Sequence, residues 1–245
     1  MKYQEIFPEE KYSNLIENFW LFENETSKDK NYTVLPDGLI DIVIYFKENE
    51  IIEVQLYGIW TKQIDVVVQS NTNVLGITLK PIAAEYFLKQ NVANILNNYK
   101  ILENSFQGID NLPLNNLQKF ATAFLNEIDL NSKIDSRKIE LFKLLFDSFG
   151  VLTVEELSEK LIWSSRQINR YFKVKFGLSL KTYANILRCS STYNAIEAGE
   201  LSPTSSYYDQ SHFIKEIKKH TGSNPKELHK NKNDRFLQFS DLLKG

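Results

Sequence analysis

Ser165, Arg166, Gln167, Asn169, Arg170 and Lys173 crowd into one short stretch of this 245-residue chain. Their chemistry is that of edge recognition. A guanidinium presents a rigid fork of donors, and a carboxamide presents a donor and an acceptor side by side. These groups match the exposed edges of guanine and adenine in the major groove of duplex DNA. A lysine at the far end of the stretch suits a phosphate. A second set of the same character is Gln210, Ser211, His212, Lys215, Lys218 and Lys219. His212 has a competing role, since a lone histidine beside an apolar stripe also serves as a packing or capping residue.

Both sets need helices to present them. Ile168, Phe172 and Phe176 recur at i, i+4, i+8 and form the inward stripe of one helix, with Ser164 as its N-cap. Ahead of it, Val154, Leu157 and Leu161 mark a shorter helix, and the small Ser158 lets the two cross closely. Ile162-Trp163 is the turn between them, and Gly177 closes the second helix. One long helix is then expected to run to about Ala198. Asp209 caps a further helix with Phe213 and Ile217 inside and Gly222 at its end. Asn224-Pro225 opens a last short helix. The reading is two helix-turn-helix units joined by a long helix. Amphipathic helix pairs with a basic outer face also occur in all-α proteins that bind no DNA.

The order of elements, the run Asp209-Gln-Ser-His-Phe213 and the closing Thr221-Gly-Ser-Asn-Pro225 resemble the AraC/XylS family of bacterial transcription regulators. The resemblance implies recognition helices at about 165–175 and 209–219, lying in adjacent major grooves about one helical turn apart. It places Arg166, Asn169 and Arg170 against bases in the first groove, and Gln210, Ser211 and Lys215 in the second. The chain departs from the family twice. The apolar scaffold helix before the second recognition helix is replaced by Leu201-Ser-Pro-Thr-Ser-Ser206, where Pro203 and the hydroxyl residues disfavour a helix. Ile162 stands where a turn-tolerant residue is usual, so a turn of different shape is expected.

Composition sets limits. Hydrophobic residues make up 42% of the chain, enough for a substantial core, and the formal net charge is −2. That average hides a split: residues 151–232 hold 13 Lys/Arg against 8 Asp/Glu, while the remainder is acidic. The positive field is therefore local to the expected reader. Cys189 is the single cysteine, which excludes an internal disulfide and fits a reducing cytoplasm. No membrane-length apolar run and no signal-peptide pattern is visible.

Residues 1 to about 80 read as mostly antiparallel β. Leu15–Phe22, Leu39–Phe46, Val54–Trp60, Ile64–Gln69 and Val74–Leu79 are the apolar or β-branched runs, with Glu23–Asn31 as a polar loop. A helix follows from Pro81 to about Leu88 and another at about Val92–Leu96. Leu117 to Ile128 carries a strong helical stripe, Asp129–Asp135 reads as a hinge, and Ser136 caps a helix to Phe149. The apolar repeat at Phe236, Leu237, Phe239, Leu242 and Leu243 is expected to dock back as a helix. The fold class is α+β, a mostly antiparallel β domain with helices at 1–132 followed by an all-α double helix-turn-helix domain at 133–245.

Leu35-Pro36-Asp37-Gly38, Gly58 with Trp60, and Leu75–Pro81 resemble a domain of uncharacterised role found before AraC-type readers. In the AraC/XylS family, N-terminal domains often bind a small effector or hold dimers together, and the resemblance implies such a role here. Trp20, Tyr45, Tyr57 and Trp60 either line an effector pocket or are core aromatics, burial being the commoner use. Asp37 with Asp41, or Glu48 with Glu50 and Glu53, offer paired carboxylates, but exposed loop acids explain them more simply. All three histidines lie in the reader and no phosphate loop appears, so no catalytic residue, metal site or cofactor is expected. The resulting expectation is a cytoplasmic, bacterial, sequence-specific transcription regulator. Its partners would be duplex DNA, a small-molecule effector, a second copy of the chain and, for an activator, RNA polymerase. The alternative is a ligand-binding or protein-interaction module whose second helix-turn-helix has decayed.

Overall fold

The computed structural model describes residues 2–128, 134–202, 207–231 and 235–239. Its β region holds β1 (Lys2–Ile6), β2 (Ile16–Asn24), β3 (Lys30–Val34), β4 (Ile40–Lys47), β5 (Glu50–Tyr57), β6 (Ile64–Val68), β7 (Thr72–Leu79) and β8 (Tyr99–Leu102). One sheet runs β1-β2-β7-β4-β5-β8, and β3 pairs with β6 in a second, two-stranded sheet. Every pairing is antiparallel. Helices follow: α1 (Ala83–Tyr86), α2 (Leu117–Asn126), α3 (Ser136–Asp147), α4 (Val154–Leu161), α5 (Ser165–Phe176), α6 (Leu180–Ser190), α7 (Tyr193–Glu197), α8 (Gln210–Thr221) and α9 (Pro225–Lys230). The architecture is the expected α+β arrangement.

Two-residue alternation explains the layering. On β4, Ile40, Ile42, Ile44 and Phe46 are fully buried in the core shared with α2. Phe19 of β2 meets Phe120 and Phe124 of α2 edge-on. The intervening residues Asp41, Val43 and Tyr45 turn to the other face, where the two-stranded sheet covers them. Both faces of the strand are thus covered, which is why residues 39–46 read as a nearly continuous apolar run. Gly76 of β7 sits opposite Trp20, and a Cβ there would lie 1.9 Å from the indole. The missing side chain is the space the tryptophan occupies.

Three strands escaped the sequence reading: β1, β3 and β8. Two are edge strands and the third belongs to the small sheet, so none carries a long apolar run. β3 occupies the end of what reads as a polar loop. The helix after Pro81 stops after one turn, because the chain wraps back with Leu88 N bonded to Ala83 O and Gln90 N bonded to Ala84 O, and Lys89 takes a left-handed φ of 52°. The second short helix is a 3-10 turn at Ala93–Ile95. Asp135, not Ser136, caps α3.

The long helix expected to reach Ala198 is broken into α6 and α7. Ser190, Ser191 and Thr192 each bond a hydroxyl to the carbonyl three residues back, at 3.1, 2.9 and 2.7 Å. Three such competitors in a row draw carbonyls away from the helical ladder. The boundary at 132/133 and the hinge lie largely outside the described residues, as do Pro203–Ser206 and Leu242 and Leu243. Across that boundary one continuous core joins the sheet, α2, α3 and α4–α6. α3 touches both sides: Lys138 pairs with Glu85, and Phe142 packs on Phe172, Phe176 and Tyr183.

Candidate nucleic-acid interface and ligand cavity

α4 and α5 form a pair of capped helices across a short turn from local instructions. Thr153 caps α4 in a reciprocal box with Glu156, and Ser164 caps α5 in another with Gln167. Leu157, Leu161, Ile168, Phe172 and Phe176 bury the inner faces. The turn corrects an expectation. Ile162 adopts the left-handed conformation (φ 50°, ψ 45°) that a β-branched residue resists, and its side chain is 92% exposed. The isoleucine itself supplies the left-handed residue of the turn and takes the strain. Its N–H closes α4 on Ser158 O.

The outer face of α5 is open. Arg166 and Arg170 are exposed and enter no ion pair among the described residues. Ser165 and Asn169 are half-buried, and the Asn169 amide donates to Ser165 O at 3.1 Å. Gln167 is exposed, but its carbonyl accepts from Ser164 N and Oγ at 3.1 and 2.9 Å. Lys173 donates to Gly177 O at 3.1 Å. The two arginines are therefore the charged side chains of the set with no hydrogen bond or ion pair among the described residues.

α8 is built alike, with Asp209 accepting from His212 N and Gly222 left-handed at φ 69°. Ser211, His212, Lys215 and Lys218 are exposed. His212 stacks edge-on to Tyr207 at 5.7 Å between ring centres. Gln210 donates to Leu201 O at 2.8 Å, and Lys219 pairs with Glu216 at 3.1 Å. α8 packs against α6 and α9. Its bracing does not come from a helix immediately before it among the described residues.

The β region grips the C-terminal ends of both helices. Val92 N donates to Lys175 O at 2.9 Å, and a Cβ on Gly177 would lie 2.9 Å from Ala93 O. At α8, Gln63 N donates to His220 O at 2.9 Å, and the His220 ring Nδ1 bonds Thr61 O at 2.8 Å. Burial pushes the pKa of His220 below its ordinary value, so the ring is neutral and its Nδ1–H donates.

Between the two sheets lies a cavity of about 330 Å³. Trp20, Tyr45, Tyr57 and Trp60 all line it, which places the four aromatics together as one wall set. Tyr45 and Tyr57 bring their hydroxyls within 3.3 Å, and Tyr57 stacks on Tyr99. Val66 and Val68 of β6 close the opposite side. The C-terminal segment closes one end through Leu237 and Gln238, whose amide exchanges two 3.0 Å bonds with the backbone of Leu35.

Asp37 and Asp41 correct the reading of exposed loop acids, for both face this cavity. Burial pushes Asp37 up to about 6 and Asp41 up to about 7, the charge of Asp37 adding to the latter. Trp20 Nε1 donates to Thr78 Oγ1 at 3.1 Å, and Thr78 donates to Asp41 Oδ1 at 2.7 Å. Asp37 Oδ1 accepts from Leu39 N at 2.9 Å. The signal in the sequence was Asp41 between Ile40 and Ile42: a polar residue on a strand covered on both faces must face something enclosed. Glu48 and Glu50, by contrast, are exposed at the β4–β5 turn and Glu53 is half-buried nearby.

Residues 4–100 match a family described as Domain of unknown function (DUF6597). No curated protein sequence matches the chain. Among solved structures, ToxT from Vibrio cholerae strain SCE256 with bound unsaturated fatty acid is 14% identical, with a TM-score of 0.47 over 89% of this chain and 97% of that one. ToxT from Vibrio cholerae O395 bound to (E)-4-(8-methylnaphthalen-1-yl)but-3-enoic acid is 14% identical, with a TM-score of 0.41 over 92% and 96%. Likeness of this degree says nothing about what this chain binds. No helix among the described residues is long and apolar enough to cross a membrane, and no group of three or more His, Cys, Asp or Glu there is placed to hold a metal.

Proposed function

We propose that the chain is a sequence-specific DNA-binding transcription regulator of the AraC/XylS type, with α5 as its principal reading helix. The observation that carries this is the outer face of α5. Two arginines stand free there, on a helix fixed by its own cap and by a buried stripe on the opposite side. In this reading Arg166 and Arg170 contact base edges, assisted by Ser165, Asn169 and Gln167, and Lys173 and the lysines of α8 contact phosphates. Residues 1–132 act as the sensor and 133–245 as the reader, in the bacterial cytoplasm. A second copy of the chain and RNA polymerase complete the assembly of an activator.

The cavity between the sheets is the effector site in this reading, and two short connections tie it to the reader. Trp60 and Ile64 line the cavity, while Thr61 and Gln63 between them hold His220. Asp37 lines it too, while Gly38 lies against Tyr183 and Leu187 and Pro36 O accepts from Tyr193. An effector that moves either connection changes how α8 and α6 are held. Selection of bound sequences from a random duplex pool tests the function. A recurrent motif supports it, and a pool that stays random refutes it.

The alternative, a ligand-binding or protein-interaction module whose second helix-turn-helix has decayed, draws on one feature of α8. Gln210 and Lys219 are committed to Leu201 and Glu216. A selected motif spanning one groove only would support that version.

A further inference from the structure

We infer that the cavity between the two sheets takes a cationic ligand, an apolar ammonium compound, rather than a carboxylate. This rests on the reading of the cavity as an effector site and adds the chemical class of the effector.

Among the described residues the charges on the wall are all of one sign: Glu17, Asp37 and Asp41 line the cavity, and no described Lys, Arg or His does so. Glu17 has a partner in Lys80 at 3.3 Å. Asp37 and Asp41 have no cation partner among the described residues. Their Oδ1 atoms are occupied by Leu39 N and Thr78 Oγ1. The Trp20–Thr78–Asp41 relay points every donor toward the carboxylate, so it supports an anion at that point. An anion enclosed without a countercharge is expensive, and a bound cation is what relieves it.

The remaining wall suits a cation with an apolar body. Tyr3, Trp20, Tyr32, Tyr45, Tyr57 and Trp60 make the lining rich in aromatic rings, a residue type whose faces attract an ammonium. Val43, Val66, Val68 and Val74 supply the apolar remainder. Trp60 Nε1 and Asn18 Oδ1 are buried without a hydrogen-bond partner among the described residues and belong to the same lining. Asn18 Oδ1 is a further acceptor for an N–H of the ligand. Among the described lining residues an anionic headgroup would meet three carboxylates and no compensating cation.

The other charged or titratable groups around the pair are Glu17 on β2 with its partner Lys80, Tyr3 on β1 and Tyr57 on β5, and Tyr183 and Tyr193 on α6 and α7. Burial keeps these phenols protonated at neutral pH, and Glu17 sits with its lysine. Asp37 and Asp41 are therefore the groups that change charge between about pH 5 and pH 8, where the pair sits at about 6 and about 7. Deprotonation strengthens cation binding, so affinity rises with pH.

The test is calorimetric titration of the full chain at pH 8 with hexylammonium and, separately, hexanoate, probes of matched length. The expected result is saturable 1:1 binding of the ammonium, at least tenfold tighter than the carboxylate. Asp41→Asn is expected to weaken the ammonium at least tenfold. The wild-type chain gives a control without substitution: the same loss between pH 8 and pH 5. Equal or tighter binding of hexanoate, no binding of either probe, or ammonium binding indifferent to both pH and Asp41 overturns the inference. DNA retention measured on the same preparation separates the two claims. Selective DNA binding without ammonium binding removes the ligand class alone, and ammonium binding without DNA binding removes the regulator alone.

Discussion

The phenol of Tyr193 donates a 2.8 Å hydrogen bond to the backbone carbonyl of Pro36, a residue 157 positions earlier in the chain. Tyr193 opens α7, and Pro36 is part of the cavity wall. Both are buried, so the bond has no water to replace it. Tyr193→Phe leaves the carbonyl unpaired, and we expect a loss of about 1–3 kcal/mol of stability. Urea denaturation measures it. A midpoint unchanged from wild type would show that the bond contributes nothing.

Asp37 and Asp41 make stability depend on pH in a direction opposite to that of a paired carboxylate. Their folded values of about 6 and about 7 lie above the ordinary 3.8. Between about pH 4 and pH 7 the folded chain binds more protons than the unfolded one, so their contribution to stability falls as pH rises through that window. His220 acts in the other direction, since its lowered value costs stability as pH falls below about 6.5. The aspartate effect is therefore read as a difference. Asp41→Asn is expected to gain on the wild type in melting temperature from pH 5 to pH 8. A difference that does not change with pH would contradict the burial of that charge.

Ile162 is strained by its φ of 50° and gains little from burial at 92% exposure. Glycine adopts that conformation freely, at a cost in unfolded-chain entropy. Ile162→Gly is expected to stabilise the chain by about 0.5–1 kcal/mol. Thermal unfolding checks this, and a destabilised variant would show that the isoleucine contributes packing.

Gly76→Ala places a methyl group where the Trp20 indole lies. The ring must shift, which breaks its bond to Thr78 and opens the relay to Asp41. We expect a loss of about 1–3 kcal/mol together with an altered tryptophan emission, measured by denaturation and fluorescence. An unchanged spectrum would mean that Trp20 does not occupy that space.

The parts of the fold most legible in the sequence are those whose signals are local. The caps at Ser164, Asp209, Gly177 and Gly222, and the stripe Ile168–Phe172–Phe176, need only neighbouring residues to be read, and they stand where expected. β3 and β8 were hidden because each depends on a partner strand rather than on its own apolar content. The break between α6 and α7 was written in Ser190-Ser191-Thr192, but hydroxyl competition against the ladder is a small effect set against a continuing apolar stripe. The cavity was legible only in part. Its four large aromatics were singled out, whereas the two carboxylates became visible once the small sheet was seen to cover β4.

Arg166 and Arg170 on the open face of α5 carry the central claim. Fluorescence anisotropy with a duplex recovered from the random pool, and with an unrelated duplex of equal length, measures what each contributes. Arg170→Ala is expected to weaken the recovered site by about 1–3 kcal/mol and to leave the unrelated duplex less affected, narrowing the ratio between them. Both affinities should fall with added salt, since phosphates supply the shared part. An affinity and a ratio untouched by substitution of both arginines would contradict the account.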